Sequence, residues 1–300
     1  MTRSNGVLLL VLVIQLFLTA VVYWPQQAQL VADPAAPLLA IDPAEVRAIQ
    51  LADDQGNEAF LQRIEGSWRL PAQQDLPADS ALVERLLQVL AVEWHGYPVA
   101  TSVAARQRFE VASYSFQRSV TLIGADDAQL GTVFLGTAPA FRRIHARSAA
   151  DDAIFSIAFN SFDAPATDNA WLDRSLLQVP TPEKIRGGDG FALTRLDNGD
   201  WRAANGAAPE PRELDALLVS LANLQVDGIA TEDQQRTLAV SAPAFSLDIE
   251  TAGESLQLAF YLLEEEHFIH DQRYDLFFTL SAYDFDRLQT LDSGRLNGLP

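Results

Sequence analysis

The sequence contains no cysteine. That excludes disulfides, thiolate metal centres, a cysteine nucleophile and an anchor on a lipidated N-terminal cysteine, and it frees the fold from any dependence on redox compartment. Positive charge is also scarce: 21 basic residues stand against 40 acidic ones, a net charge of −19 over 300 residues, and Lys184 is the single lysine. A field of that sign repels phosphate backbones and works against counter-ion release, so nucleic acid is not expected as a partner. The motifs of common chemistries are missing as well. There is no Gly-x-Ser-x-Gly elbow, no phosphate-binding loop, no His-Glu-x-x-His and no dinucleotide fingerprint, so no catalytic or cofactor-binding residue is assigned and the chain reads as non-enzymatic.

What is present begins with apolar content. At 48% hydrophobic residues, a chain of this length buries enough surface for two domains or one large one. Residues 6–24, GVLLLVLVIQLFLTAVVYW, hold no charge, and as a helix they span about 28 Å, close to a hydrocarbon core. The run exceeds a signal-peptide h-region and no small-x-small site follows it, so residues 1–24 are expected to be an uncleaved transmembrane anchor. Arg3 precedes it and an acidic flank follows, which places the N-terminus in the cytoplasm and the remainder in the periplasm, a single-pass inner-membrane topology. Residues 25–45 carry four prolines and read as an extended spacer.

Beyond the spacer the sequence repeats itself. FLQRIEGSWRL (60–70) and FALTRLDNGDWRA (191–203) both read as hairpins ending in Trp-Arg, with Glu65-Gly66 and Asp197-Asn198-Gly199 as the turns. An amphipathic helix follows each: PADSALVERLLQVLAVEW, with Leu82, Val83, Leu86, Leu87 and Leu90 on one face, and PEPRELDALLVSLANLQV, with Pro211 in its first turn. Short alternating strands come next, closing on FSIAFNSFD (155–163) and FTLSAYDFD (278–286). Ile144-His145 and Ile269-His270 fall at corresponding places in the two copies. The expected fold is α+β, a tandem duplication of an antiparallel sheet plus helix, residues 46–177 and 178–300, behind the transmembrane helix.

The Trp-Arg hairpins, the Leu-rich helices, the strand ending Phe134-Leu135-Gly136 and the repetition of the scheme resemble the bacterial domain of unknown function 4340 family. The chain departs from it where a Gly-Leu-x-x-Pro stretch is expected between helix and sheet, reading RFEVASYSFQRSV and RTLAVSAPAFSL instead. The resemblance implies an envelope protein, an accessory or scaffold subunit of an ABC-type assembly, with a permease and auxiliary subunits as partners and residues 6–24 in the membrane. It brings no catalytic residues. The alternative is a periplasmic receptor that holds a glycan, peptide or lipid in the cleft between the repeats.

Two clusters stand out as interaction candidates. LLEEEHFIHDQRYD (262–275) offers carboxylates with His267 and His270, but a strand points those imidazoles to opposite faces, so no metal site is assigned. Arg142, Arg143 and Arg147 around His145 make a local basic spot in an acidic chain, suited to an anionic partner, although surface pairing with the protein's own carboxylates would also account for it. The series Asp189, Asp197 and Asp200 lacks the ligand order of a calcium loop. Trp68 and Trp201 recur in both copies and are expected in the core rather than as sugar platforms.

Overall fold

The computed structural model describes residues 12–15, 17, 37–188 and 190–299. The transmembrane helix expected over residues 6–24 is not found: among the described residues no helix is long and apolar enough to cross a membrane. Residues 12–15 and 17 are helical, and the rest of that stretch lies outside the described residues. A span needs about 20 residues of continuous apolar helix, and apolar composition alone does not supply one. The single-pass topology, the inner-membrane address and the membrane-tethered partners inferred from it are therefore set aside. Just after residue 36 the chain already belongs to the first unit. Leu38 and Leu39 are buried, and the Leu39 amide donates to the Leu90 carbonyl at 3.0 Å.

The chain separates into two units, residues 1–74 with 80–168, and residues 75–79 with 169–300. The first begins with strands β1 (Ala48–Asp53), β2 (Glu58–Ile64) and β3 (Ser67–Leu70). Asp53 turns the first hairpin by accepting the Gln55 and Asn57 amides at 2.9 Å each; Glu65 and Gly66, both at positive φ, turn the second. A two-residue strand β4 (Leu76–Pro77) precedes helix α1 (Ser80–Leu87), which widens into a final turn closed by the Glu93 amide on the Gln88 carbonyl. Its buried face is Val83, Leu86 and Leu87, continued by Val89 and Leu90.

A small lobe follows that the apolar periodicity does not announce. Helix α2 (Val103–Arg108), capped by Ser102, leads into the short hairpin β5 (Val111–Ala112) and β6 (Ser115–Phe116). Glu110, at φ 55, takes the left-handed conformation just past the helix that a glycine would adopt without steric cost. Strands β7 (Arg118–Ile123), β8 (Gln129–Leu135), β9 (Ile144–Ser148) and β10 (Ile154–Ile157) complete an eight-stranded sheet of order β10-β9-β8-β7-β1-β2-β3-β4. Ile49, Leu51, Leu61, Leu70, Val120 and Leu122 put its alternate positions in the core.

The second unit contains β11 (Lys184–Gly187), β12 (Ala192–Arg195), β13 (Trp201–Ala203), α3 (Pro211–Ala222), β14 (Val226–Ile229), α4 (Glu232–Leu238), β15 (Phe245–Glu250), β16 (Ser255–Leu263), β17 (Glu266–Asp271), β18 (Phe277–Leu280), α5 (Ala282–Gln289) and α6 (Ser293–Leu296). Its sheet runs β13-β12-β11-β15-β16-β17-β18-β14. Reading β1 as β11, β2 as β12, β3 as β13 and β7–β10 as β15–β18, the two sheets share one strand order, all antiparallel. Even β14 has a counterpart: it pairs with β18, and Ala100 bridges Ile154 in the same place beside β10. The topology is the one a duplication requires. Trp68 and Trp201 sit buried on the equivalent strands β3 and β13.

Register corrects one correspondence. Phe155 pairs with Ala146 on β9, and Phe278 pairs with Ile269 on β17, so aligning the two nonapeptides sets Arg147, not His145, against His270. A two-residue slip keeps every side chain on its face, which is why alternation alone cannot reveal it.

Candidate functional site

Arg142, Arg143 and Arg147 lie on or just before β9 but play different roles. Arg147, in the middle of β9, is 5% exposed. Its Nε donates to the Val111 carbonyl at 2.8 Å and its Nη1 to the Ser148 and Asp151 carbonyls at 2.9 and 2.8 Å, with the guanidinium over the Phe134 ring. Burial holds its pKa below the usual arginine value, and nearby Arg106 adds to the effect. Such a residue pins the α2–β5 lobe to the sheet and is not offered to a partner. Arg143 is also committed, donating through Nε to Ser156 Oγ at 2.9 Å and through Nη2 to the Ser156 carbonyl.

Arg142 is different. It lies just before β9 with φ 54, in the left-handed region that costs a non-glycine residue on the order of 1 kcal/mol. Its guanidinium faces only the ring of Phe141, and no carboxylate lies within ion-pair distance among the described residues. It lines a cavity of about 330 Å³ together with Arg85 of α1 and Ala158, Phe159, Asn160 and Asp163 from the segment after β10. The segment is fixed locally: Asn160 Oδ1 accepts the Phe162 amide at 3.2 Å and starts a short turn over Ser161–Asp163. Asp163 is held by Arg85 at 3.2 Å. Phe159 is buried, while Phe141 and Phe162, each adjacent in the chain to lining residues, are 88% and 84% exposed. This pocket was only partly visible in the sequence, where Arg142 stood out but Arg85 and Asp163 did not.

The second unit has the opposite character at the equivalent turn. Between β16 and β17 stand Glu264, at φ 58, and Glu265, with Glu266 opening the strand. His267 and His270 go to different neighbours, His267 to the Phe285 ring at 4.6 Å and His270 to the Phe277 ring at 4.7 Å. No group of three or more His, Asp or Glu among the described residues is placed to hold a metal ion. Asp271 is fully buried and serves Arg273, accepting from its amide at 2.8 Å and from its guanidinium through both oxygens. Asp197 and Asp200 belong to the β12–β13 turn, where Asn198 Nδ2 donates to Asp200 at 2.8 Å; Asp189 lies outside the described residues.

Three histidines have pKa values below the usual imidazole value, in each case chiefly through burial. His145, stacked on Phe109 at 4.0 Å, donates Nδ1–H to the Thr137 carbonyl at 2.9 Å, which only partly offsets burial. For His95 the Val89 carbonyl and Glu93 oppose the shift and Arg143 adds to it; for His270, Asp271 and Asp275 oppose it. Below about pH 6.5 the unfolded chain therefore binds protons that the folded chain refuses. This stability is complete above that pH and is lost as pH falls toward the depressed folded values. Urea midpoints are expected to drop between pH 7.5 and pH 5, with a smaller drop for His145→Gln; equal midpoints at both pH values would contradict the assignment.

Comparison with known families decides the lineage. A model of the family described as Domain of unknown function (DUF4340) matches residues 68–243. The chain belongs to this family. The match runs from Trp68 on β3 to the residues before β15, so it takes in parts of both units and every residue that lines the Arg142 pocket. No curated protein and no solved structure matches the chain. Membership in DUF4340 stands without the properties attached to it above: no membrane-spanning helix is found among the described residues, and nothing matched supports an ABC-transport role.

Proposed function

We propose that this DUF4340 protein is a non-enzymatic recognition protein whose first unit binds the anionic part of a peptide, glycan or lipid in the Arg142 pocket. The observation that carries the reading is a difference between two copies of one scaffold. The first presents an uncommitted arginine beside a cavity and two exposed phenylalanines, and the second presents glutamates at the equivalent turn. Fold stability explains neither the exposed rings nor the strained Arg142, because the rings are not buried and Arg142 makes no ion pair among the described residues. Arginine supplies a planar fork of donors for carboxylate or phosphate, and the flanking rings add apolar contact. The absence of a nucleophile–base signature in the sequence agrees with a binding role.

A thermal-shift screen of the full chain against acidic oligosaccharides, peptides with free carboxyl ends and anionic lipid micelles tests this directly. A ligand at about 100 times its Kd adds about 2.7 kcal/mol of stability. At least one class is expected to raise Tm in a saturable way, and Arg142→Gln is expected to abolish the rise. A panel without effect, or one equally effective on Arg142→Gln, would remove the reading.

A further inference from the structure

We propose that the Arg142 pocket takes a monocarboxylate borne by an apolar group. This rests on reading the pocket as the recognition site and names the chemistry of its ligand. Charge sets the first constraint. Arg85 is matched by Asp163 at 3.2 Å, which leaves Arg142 as the one uncompensated charge on the lining. A single carboxylate neutralises it. A phosphate monoester, carrying nearly two charges, would leave excess negative charge beside Asp163 in a chain already at −19.

Geometry sets the second constraint. A guanidinium pairs with a carboxylate through two parallel N–H···O bonds, and the Asn160 side-chain amide adds a donor on the same lining. The third constraint comes from Phe141 and Phe162, which immediately precede the lining residues Arg142 and Asp163 in the chain and are almost wholly exposed. Two such rings favour a carboxylate that brings apolar surface with it over a hydrated sugar acid. Such a group is found at the C-terminus of a peptide with apolar last residues or at the head of a fatty acid.

Calorimetric titration of the full chain separates these cases. The probes are acetyl-Gly-Phe-Leu with a free carboxyl group, its C-terminal amide, decanoate and inorganic phosphate. The free acid is expected to bind with a Kd on the order of 0.1–1 mM, and the amide at least about tenfold more weakly. Arg142→Gln is expected to lose the free acid by a similar factor, and a Phe141→Ser, Phe162→Ser variant to weaken it. Arg236→Gln, in the second unit, is expected to leave binding unchanged. Decanoate binding that depends on Arg142 supports the same chemistry with a lipid source. Equal binding of acid and amide, or phosphate binding tighter than either carboxylate, would overturn the monocarboxylate while leaving an Arg142-dependent recognition site in place. No heat from any probe at about 10 mM, ten times the weakest Kd expected, would overturn the inference, and the wider ligand panel then decides the recognition reading separately.

Discussion

Gly136→Ala is expected to destabilise the first unit by about 3–5 kcal/mol, a large share of the stability of a domain this size. Gly136 follows β8, where its amide donates to the His145 carbonyl at 2.9 Å, and the neighbouring Thr137 amide donates to the Phe109 carbonyl at 2.9 Å. The chain therefore runs against the end of α2. A Cβ on Gly136 would land on the Phe109 carbonyl oxygen and within 2.5 Å of the Glu110 carbonyl oxygen. Both are backbone atoms, so no side-chain rotamer change relieves the clash; either the lobe lifts from the sheet or β8 bends. Urea denaturation of the variant should show a lower midpoint, and proteolysis should open first between residues 103 and 116. A midpoint within about 0.5 kcal/mol of wild type, the range of ordinary surface substitutions, would show that the lobe does not dock as described.

Arg147→Met is expected to cost about 3–5 kcal/mol, because it leaves acceptors without donors rather than a charge without a partner. The Val111 and Asp151 carbonyls lose their guanidinium donors, while the Ser148 carbonyl keeps the Asp151 amide at 3.2 Å, and each buried carbonyl left unpaired costs about 1–3 kcal/mol. Methionine keeps some contact with Phe134, so the loss falls mainly on hydrogen bonding. Arg147→Lys should restore only part of it, since one ammonium cannot reach three carbonyls from one position. Thermal melts of the three proteins test this ordering. If Met proves as stable as Arg, the guanidinium is not holding the lobe. In the second unit a different side chain ties the corresponding helix to the sheet. There Gln235 on α4 donates to the Phe277 and Ala230 carbonyls and accepts the Phe277 amide at 2.9 Å.

Much of the scaffold was legible because it follows periodicity. The Trp-Arg hairpins, the Leu stripes of α1 and α3 and the closing strands β10 and β18 all bury residues at a regular spacing that a sequence displays. Short helices with little apolar pattern, such as α2 and α4, were not legible; they are fixed by Ser102 and Thr231 caps and by contacts distant in sequence. Arg147 read as part of a surface cluster because arginine is rarely buried, and only its three carbonyl acceptors explain its burial. Phe162 and Phe285 align in the repeated nonapeptide, yet Phe285, on α5, is buried and Phe162 is exposed. Identity of letters across the two like-ordered sheets did not carry identity of environment, and the candidate site lies where they diverge. The apolar run at the N-terminus shows the converse: composition matched a membrane span, but no described helix is long enough to be one.

The two copies share a scaffold but present different charge at equivalent turns, and recognition is assigned to the first alone. The most direct test is a pair of charge reversals in the full chain, Arg142→Glu and Glu264→Arg, each followed by the Tm shift that acetyl-Gly-Phe-Leu produces. The expected result is loss of the shift in Arg142→Glu and its retention in Glu264→Arg. Retention in both, or loss in both, would contradict the assignment of binding to the first unit.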